Sequence, residues 1–524
     1  MMHLDPVTLE LVWTRLIAAV DEAAKAIVRT SFSTLSNEAN DFACVLTDTE
    51  GRSLAQNTGS IPSFIGTLPG TVRAVRAAFP PDQMQPGDVF ITNNPWIGTG
   101  HLNDISIVRP IFLGSRVVGF AATTSHVPDI GGRIRSTEAR ELFEEGFHIP
   151  PMRLMRGEVV DATLLTLLRA NVRTPDQTEG DVWAQVGAVT LIEDRVCRAL
   201  EDHRMADLSS VASEIFDRSE AEMRRRIALL PEGTWRATME TDGLEEPFTF
   251  NVEVTLRGGE VTVDFAGTSP QQRRAVNCVM AYTTAMTNFA LKALLLPELP
   301  NNEGVFRPIR VLAPEGCILN PRHPAAVGGR AATGHYVPVM IFTALAEALP
   351  GKVRAAPGSP LWIMNLAGTD ARGQTFANVM FFNGGTGAGA TQGGADCISW
   401  PSNISATPIE VAERTAPVVI HCKALRPDSG GAGSHRGGRG QEVLVECEAE
   451  DVAAVFVTER LRFAAHGLFG GTSGAKGEVL IDDVAVDTRQ LQMLRKGSRV
   501  TIRTPGGGGY GPVGGGGTGS QGLG

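Results

Sequence analysis

The sequence is short of several features that would mark particular protein classes. It has seven cysteines, Cys44, Cys197, Cys278, Cys317, Cys397, Cys422 and Cys447. The number is odd and none forms a CxxC pair, which argues against a disulfide framework or a structural zinc knot. Reduced, mostly buried thiols fit a cytoplasmic protein. No basic region followed by an apolar run opens the chain, so no signal peptide is expected. No stretch approaches the roughly 20 apolar residues that a membrane span needs. Dense basic blocks are missing too. With 47 Lys and Arg against 57 Asp and Glu, the formal net charge is -10, which speaks against a nucleic-acid binder. The longest basic run, Arg224-Arg225-Arg226, reads as the solvated end of a helix. The phosphate-loop pattern GxxxxGK[ST] is absent. Gly385-Thr386-Gly387-Ala388-Gly389 lacks GxGxxG spacing, and in Gly470 to Gly477 Ala475 interrupts the Gly-Lys pair. There is no GxSxG nucleophile elbow and no repeat of fixed period.

What is present is a chain of 524 residues, 43% of them hydrophobic, enough for more than one ordinary core. Asp5 can cap a helix that Pro6 begins, and Leu9, Trp13, Leu16, Val20, Ala24 and Ile27 recur along one face of it. Strand-like pieces follow at Phe42 to Leu46, Val89 to Thr92, Ile105 to Val108 and Val117 to Thr124. Helical patterns run through Leu164 to Val172, Trp183 to Val196, and toward Ile215 and Ile227. A hairpin is expected around Arg257-Gly258-Gly259-Glu260, and helices at Val276 to Leu296 and Val337 to Leu349. Beyond residue 350 glycine runs accumulate, read as tight turns and positive φ. The expected fold class is α+β, a multi-lobed mixed chain with a glycine-rich β C-terminal part. The expected divisions are an N-terminal α+β metal-site lobe at 1–160, a helical segment at 161–232, and an α+β middle region at 233–350. A glycine-rich β/α region at 351–512 and a flexible tail at 513–524 complete them.

Chemistry concentrates in three early segments: Ser36 to Phe42, Gly98 to Asp104 and Ser125 to Gly132. His101 and Asp104 are three residues apart, and His126 and Asp129 repeat that spacing beside strand-like runs. Strand ends and loops can aim such groups at one point. Two imidazoles and two carboxylates suit a divalent cation such as manganese, iron or zinc, which polarises a carbonyl or activates water. The plainer reading makes His126 a hydrogen-bonded core residue. His148, His323 and His335 are further histidines in Gly- or Pro-marked turns, read more simply as ordering those turns.

At these segments the chain resembles the hydantoinase B family, which includes the B components of N-methylhydantoinases, the C-terminal half of 5-oxoprolinase, and α-type subunits of acetone and acetophenone carboxylases. The matches run in order along nearly the whole chain. They include Asp5-Pro6-Val7, Glu38 to Phe42, Asn93-Asn94-Pro95-Trp96, the His101 and His126 segments and Glu145 to Pro151. They continue through Asn171 to Pro175, Asp264 to Pro270, Asn301 to Gly304, Asp428 to Gly433 and Thr504 to Gly511. The chain departs from the family pattern at Ala39, Asn94, Asn103 and the Gly98-Thr99-Gly100 approach to His101.

The resemblance implies one divalent metal (Mn, Zn or Fe) held by Glu38, His101, Asp104 and His126, with Asp129 or Asp41 as a supporting group or base. It implies a hydantoinase A-type partner that binds ATP and phosphorylates an amide or carbonyl oxygen. This chain would then be the catalytic B-type subunit of a hetero-oligomeric hydrolase opening a cyclic amide: a hydantoin, an oxoproline or a lactam. The alternatives are the α-type subunit of an ATP-dependent ketone carboxylase, or a non-catalytic assembly subunit.

Overall fold

The structure is a computed structural model that describes residues 5–514, so residues 515–524 of the expected tail lie outside it. The first helix, Pro6–Thr30, starts where the sequence places it. The Asp5 carboxylate accepts hydrogen bonds from the Val7 and Thr8 amides at 3.1 and 3.0 Å, satisfying two donors that the helix itself leaves unpaired.

This helix covers a seven-stranded sheet, every neighbouring pair antiparallel. The order is Ser53–Gln56, Phe42–Thr47, Arg116–His126, Asp104–Leu113, Val89–Thr92, Met152–Arg156 and Val159–Val160. Both faces are buried, and strand alternation divides the side chains between them. Cys44, Leu46, Ile107 and Ala121 join the core formed with Pro6–Thr30 and the 28-residue helix Pro175–Asp202. Ala43, Val45, Val108, Phe120 and Ala122 face the helix Pro62–Ala78 instead. Because neither face is wet, the central strands read as continuous apolar runs.

A second sheet, Gly233–Thr241, Phe248–Arg257, Glu260–Asp264 and Ile309–Leu312, buries alternate residues only. Its hairpin turns through Gly258 and Gly259, both at positive φ, with Arg257 paired to Glu260. The expected helices at 276–296 and 337–349 are observed shorter, at Met280–Leu295 and Tyr336–Ala344. One hydrophobic cluster takes in residues from Leu9 to Val353, and another takes in Trp362 to Ile502 between two C-terminal antiparallel sheets. The basic run ends the helix Ser209–Ala228, where Arg224, Arg225 and Arg226 pair with Glu220, Glu222 and Glu298.

The glycine runs serve a different purpose from the turns expected. None of Gly384, Gly385, Gly387 or Gly389 has positive φ. Instead, extended chains lie against one another. Gly385 N donates to Pro505 O, Gly438 N to Thr386 O and Gly507 N to Gly438 O, at 3.1, 2.8 and 2.9 Å. A Cβ on Gly387 would stand 1.7 Å from the Ala355 carbonyl oxygen, so only a residue without a side chain permits this approach. Among the described residues, no helix is long and apolar enough to cross a membrane.

Candidate metal centre

Two adjacent strands of the seven-stranded sheet build the site. Asp104 begins one and His126 ends the other, and the register pairs them directly. His101 lies one turn before Asp104. Backbone bonds fix the approach: His126 N donates to Asp41 O at 3.0 Å, and Val127 N to Asn103 O at 2.8 Å.

Asp104 Oδ1 is the centre of the cluster. His126 Nδ1 lies 2.8 Å from it and donates to it. His101 Nε2 lies 2.8 Å away on another side, without the geometry of a regular hydrogen bond. The ligand atoms of His101, Asp104 and His126 all fall within 4.8 Å of one another, and all three side chains are buried. Two imidazole nitrogens thus converge on one buried carboxylate oxygen. The nitrogen and oxygen donor set fits a divalent transition metal.

The surroundings fix charge. Asp104 Oδ2 accepts from Arg330 at 2.6 Å and from the Thr99 hydroxyl, while Arg330 also donates to Thr99 O and stacks over Tyr282. Although burial alone would raise it, His101 and Arg330 hold the Asp104 carboxyl well below the usual range. Burial lowers His101 well below its ordinary value, and burial with the nearby Arg135 guanidinium lowers His126 to about 4. Both imidazoles are therefore neutral, the form that ligates a metal. Asp41 shares the cavity. Its Oδ2 is 4.0 Å from His126 Nδ1, and burial and the repulsion of Asp104 push its carboxyl up to about 7.

Sequence reasoning expected Glu38 and Asp129 here as well. Glu38 caps the short helix Thr34–Asn37 and is half-buried; its side chain neither joins the donor cluster nor lines the cavity beside it. Both oxygens of Asp129 are engaged with Arg173: Oδ1 accepts from its guanidinium at 2.5 Å and Oδ2 from its backbone amide at 2.6 Å. Asp129 Oδ2 also accepts from Gly131 N, so this carboxylate fastens a loop to Arg173.

Other residues of the site escaped sequence reasoning. Arg330 comes from more than 200 positions away, and Arg135 Nη1 sits 2.9 Å from His126 Nε2 with its own buried Nε unpaired. Glu145 accepts the Val327 and Gly328 amides at 2.7 Å each, and the Gly328 carbonyl in turn faces His101 Nδ1 at 3.4 Å. Their only sequence signal was that Glu145 opens one of the matched segments. His335 does line the cavity. Its Nδ1 accepts from Leu361 N, which leaves the proton on Nε2, and burial with Arg330 lowers it to about 3. His148 and His323 lie elsewhere, His323 stacked edge-on against Trp96.

The sequence profile described as Hydantoinase B/oxoprolinase matches residues 5–513. The chain belongs to this family. Among its relatives, an uncharacterised protein of Methanocaldococcus jannaschii is 31% identical, the match covering 97% of this chain and 91% of the other. The B component of a putative D-/L-hydantoinase from a Pseudomonas species is 28% identical over 97% of this chain and 90% of its own. The crystal structure of the ATP-dependent caprolactamase from Pseudomonas jessenii superposes with a TM-score of 0.87 at 27% identity, covering 97% of this chain and 91% of that one.

Proposed function

We propose that this chain is the B-type subunit of an ATP-dependent hydrolase that opens a cyclic amide, working with an A-type partner that binds ATP. The observation that carries this reading is the convergence of the buried donor atoms of His101, Asp104 and His126 within 4.8 Å of one another. Relatives that are a putative hydantoinase component and a caprolactamase support the reaction class.

A divalent metal, manganese, zinc or iron, would be held by His101, Asp104 and His126, and would supply Lewis acidity toward a carbonyl oxygen or a water molecule. We assign Asp41, rather than Glu38, as the fourth donor, because its carboxylate shares the cavity and Glu38 does not. Arg330 and Thr99 orient Asp104, and Glu145 orients His101 through the Gly328 loop. Arg135, with a buried Nε lacking a partner, is placed to hold the anionic phosphoryl group of an activated substrate. His335, neutral and carrying its proton on Nε2, can donate a hydrogen bond to the developing oxyanion without itself ionising. Asp129 acts at a distance, by fastening its loop to Arg173.

The test is reconstitution with the partner, ATP and a panel of lactams and hydantoins. The expected result is ring opening coupled to ADP release, one metal per chain, and loss of both metal and activity in His101→Ala and His126→Ala. Incorporation of labelled bicarbonate into the product would favour a carboxylase. Full activity in both variants would favour an assembly role.

A further inference from the structure

The second sheet ends in an open edge. Gly233–Thr241 is its outermost strand and pairs with Phe248–Arg257 alone, in a register that runs from Gly233 opposite Leu256 to Thr241 opposite Phe248 without a bulge. Thr249 N and Asn251 N donate away from it, to Ser269 Oγ and Thr268 Oγ1 at 2.9 and 3.1 Å. The residues opposite those two, Glu240 and Thr238, therefore turn their own backbone groups outward, and Arg236 and Thr234 repeat the pattern. Among the described residues, none makes a hydrogen bond to these outward N–H and C=O groups. Thr234, Arg236, Thr238 and Glu240 are all exposed.

Unpaired edges invite other chains, and proteins blunt them with short strands, bulges, lysine or proline. Several other sheet edges here follow that rule. Val159–Val160 and Val484–Ala485 have two residues each, and Val418–Leu425 carries Lys423 and a bulge between Ile420 and Cys422. Gly233–Thr241 uses none of these devices: it is nine residues long, with no lysine, no proline and no bulge. Its other face is incompletely covered, since Trp235, Ala237 and Met239 pack on the main core yet stay only partly buried.

We propose that this edge joins two copies of the chain, the strands running antiparallel about a two-fold axis at Thr238, so that two four-stranded sheets become one. The order of residues in the strand selects a second copy as the occupant. Pairing the outward-facing residues about Thr238 sets Arg236 opposite Glu240 of the second copy, and the two-fold axis repeats the pair. On the other face it sets Ala237 beside Met239, a small side chain against a large one. Centring the axis on Arg236 would oppose two guanidiniums, and centring it on Ala237 would leave both charges facing threonine. Opposite charges directly across two strands stabilise the pairing, and like charges oppose it. The pairs Arg236–Glu240, Thr238–Thr238 and Glu240–Arg236 each exchange both backbone hydrogen bonds. Thr241 and Asp242 are buried, which ends the ladder on that side. Pairing of this kind owes nothing to the chemistry at the metal centre.

The experiment is sedimentation equilibrium of the full chain at micromolar concentration, with cysteine cross-linking to fix the register. Two chains per particle are expected. Glu240→Arg sets like charges opposite each other twice and is expected to weaken association about tenfold, while Arg236→Glu combined with Glu240→Arg is expected to restore it. Thr238→Pro removes an outward N–H that the strand's own sheet does not use, and is expected to leave a folded single chain. Should that variant fold poorly, Thr238→Cys takes its place. Directly opposed Cα atoms lie about 5.5 Å apart, within disulfide reach, so a covalent dimer is expected on mild oxidation. Thr234→Cys stands eight positions from its own copy in this register, about 27 Å away, and is expected to cross-link no more than the native chain. A single chain per particle at every concentration, association that Glu240→Arg leaves unchanged, or cross-linking at 234 and not at 238 would overturn the proposal. So would a native chain that stays single while Thr238→Pro prevents binding of an A-type partner, because the edge would then serve a different chain.

Discussion

At the scale of single residues, the site is a balance of two carboxylates, two guanidiniums and neutral imidazoles, and its proton affinities make it testable without substrate. Asp41 ordinarily titrates near 3.8, and in the folded chain it is pushed up to about 7, chiefly by burial and then by Asp104. A proton held more tightly in the folded state stabilises it at low pH, and that contribution is lost as pH climbs from about 4 through 7. Metal-free protein should therefore lose denaturant midpoint across that window relative to Asp41→Asn, and superimposable profiles would take Asp41 out of the buried cluster. With Asp41 as the proposed fourth donor, metal binding would need its ionised carboxyl and is expected to tighten over the same pH rise. Asp129→Asn separates support from ligation. Weakening the part-buried contact to Arg173 is expected to cost about 1–2 kcal/mol of stability while metal content stays at the native level, read by elemental analysis. Loss of metal in that variant would instead place Asp129 in the ligand set.

Elements explain why these residues meet. His101 and Asp104 are neighbours in sequence, and spacing alone suggested that they could face one way. The 22-residue interval between Asp104 and His126 becomes a direct cross-strand pair only because the two strands fold back on each other in that register. A shift of one position would turn His126 to the other face of the sheet. Elements also explain the C-terminal glycines, which the sequence suggested were turns. Extended segments approach backbone to backbone, so Gly387→Ala, whose Cβ would lie 1.7 Å from a carbonyl oxygen, is expected to destabilise by more than about 4 kcal/mol. Chemical denaturation would measure it, and a change within about 1 kcal/mol would mean that the close approach is absent in solution.

Across the whole molecule, the candidate metal centre depends on parts of the chain that no local pattern connects to it. Arg330 reaches Asp104, the 327–328 loop is fastened by Glu145, and His335 enters the same cavity. The sheet that bears the donors is covered by Pro175–Asp202, which lies beyond the expected boundary at residue 160. A fragment ending at residue 160 would expose that face and is expected not to fold alone. Circular dichroism and hydrogen exchange of residues 1–160 against the full chain would decide it, and native-like protection in the fragment would make 1–160 an independent unit.

By itself the sequence determined the capped first helix, the apolar central strands, the glycine hairpin at 258–259, the α+β class and, through ordered motifs, the family. These are set by interactions between near neighbours: capping bonds, residue periodicity and the steric freedom of glycine. It also singled out His101, Asp104, His126 and Asp41, which lie together. Tertiary structure alone decided that Asp129 faces Arg173, that Glu38 stands outside the donor cluster, and that Arg135, Arg330 and His335 enclose it. Those outcomes depend on strand register and on packing between distant segments, and no spacing along the chain encodes which buried carboxylate meets a guanidinium and which meets an imidazole.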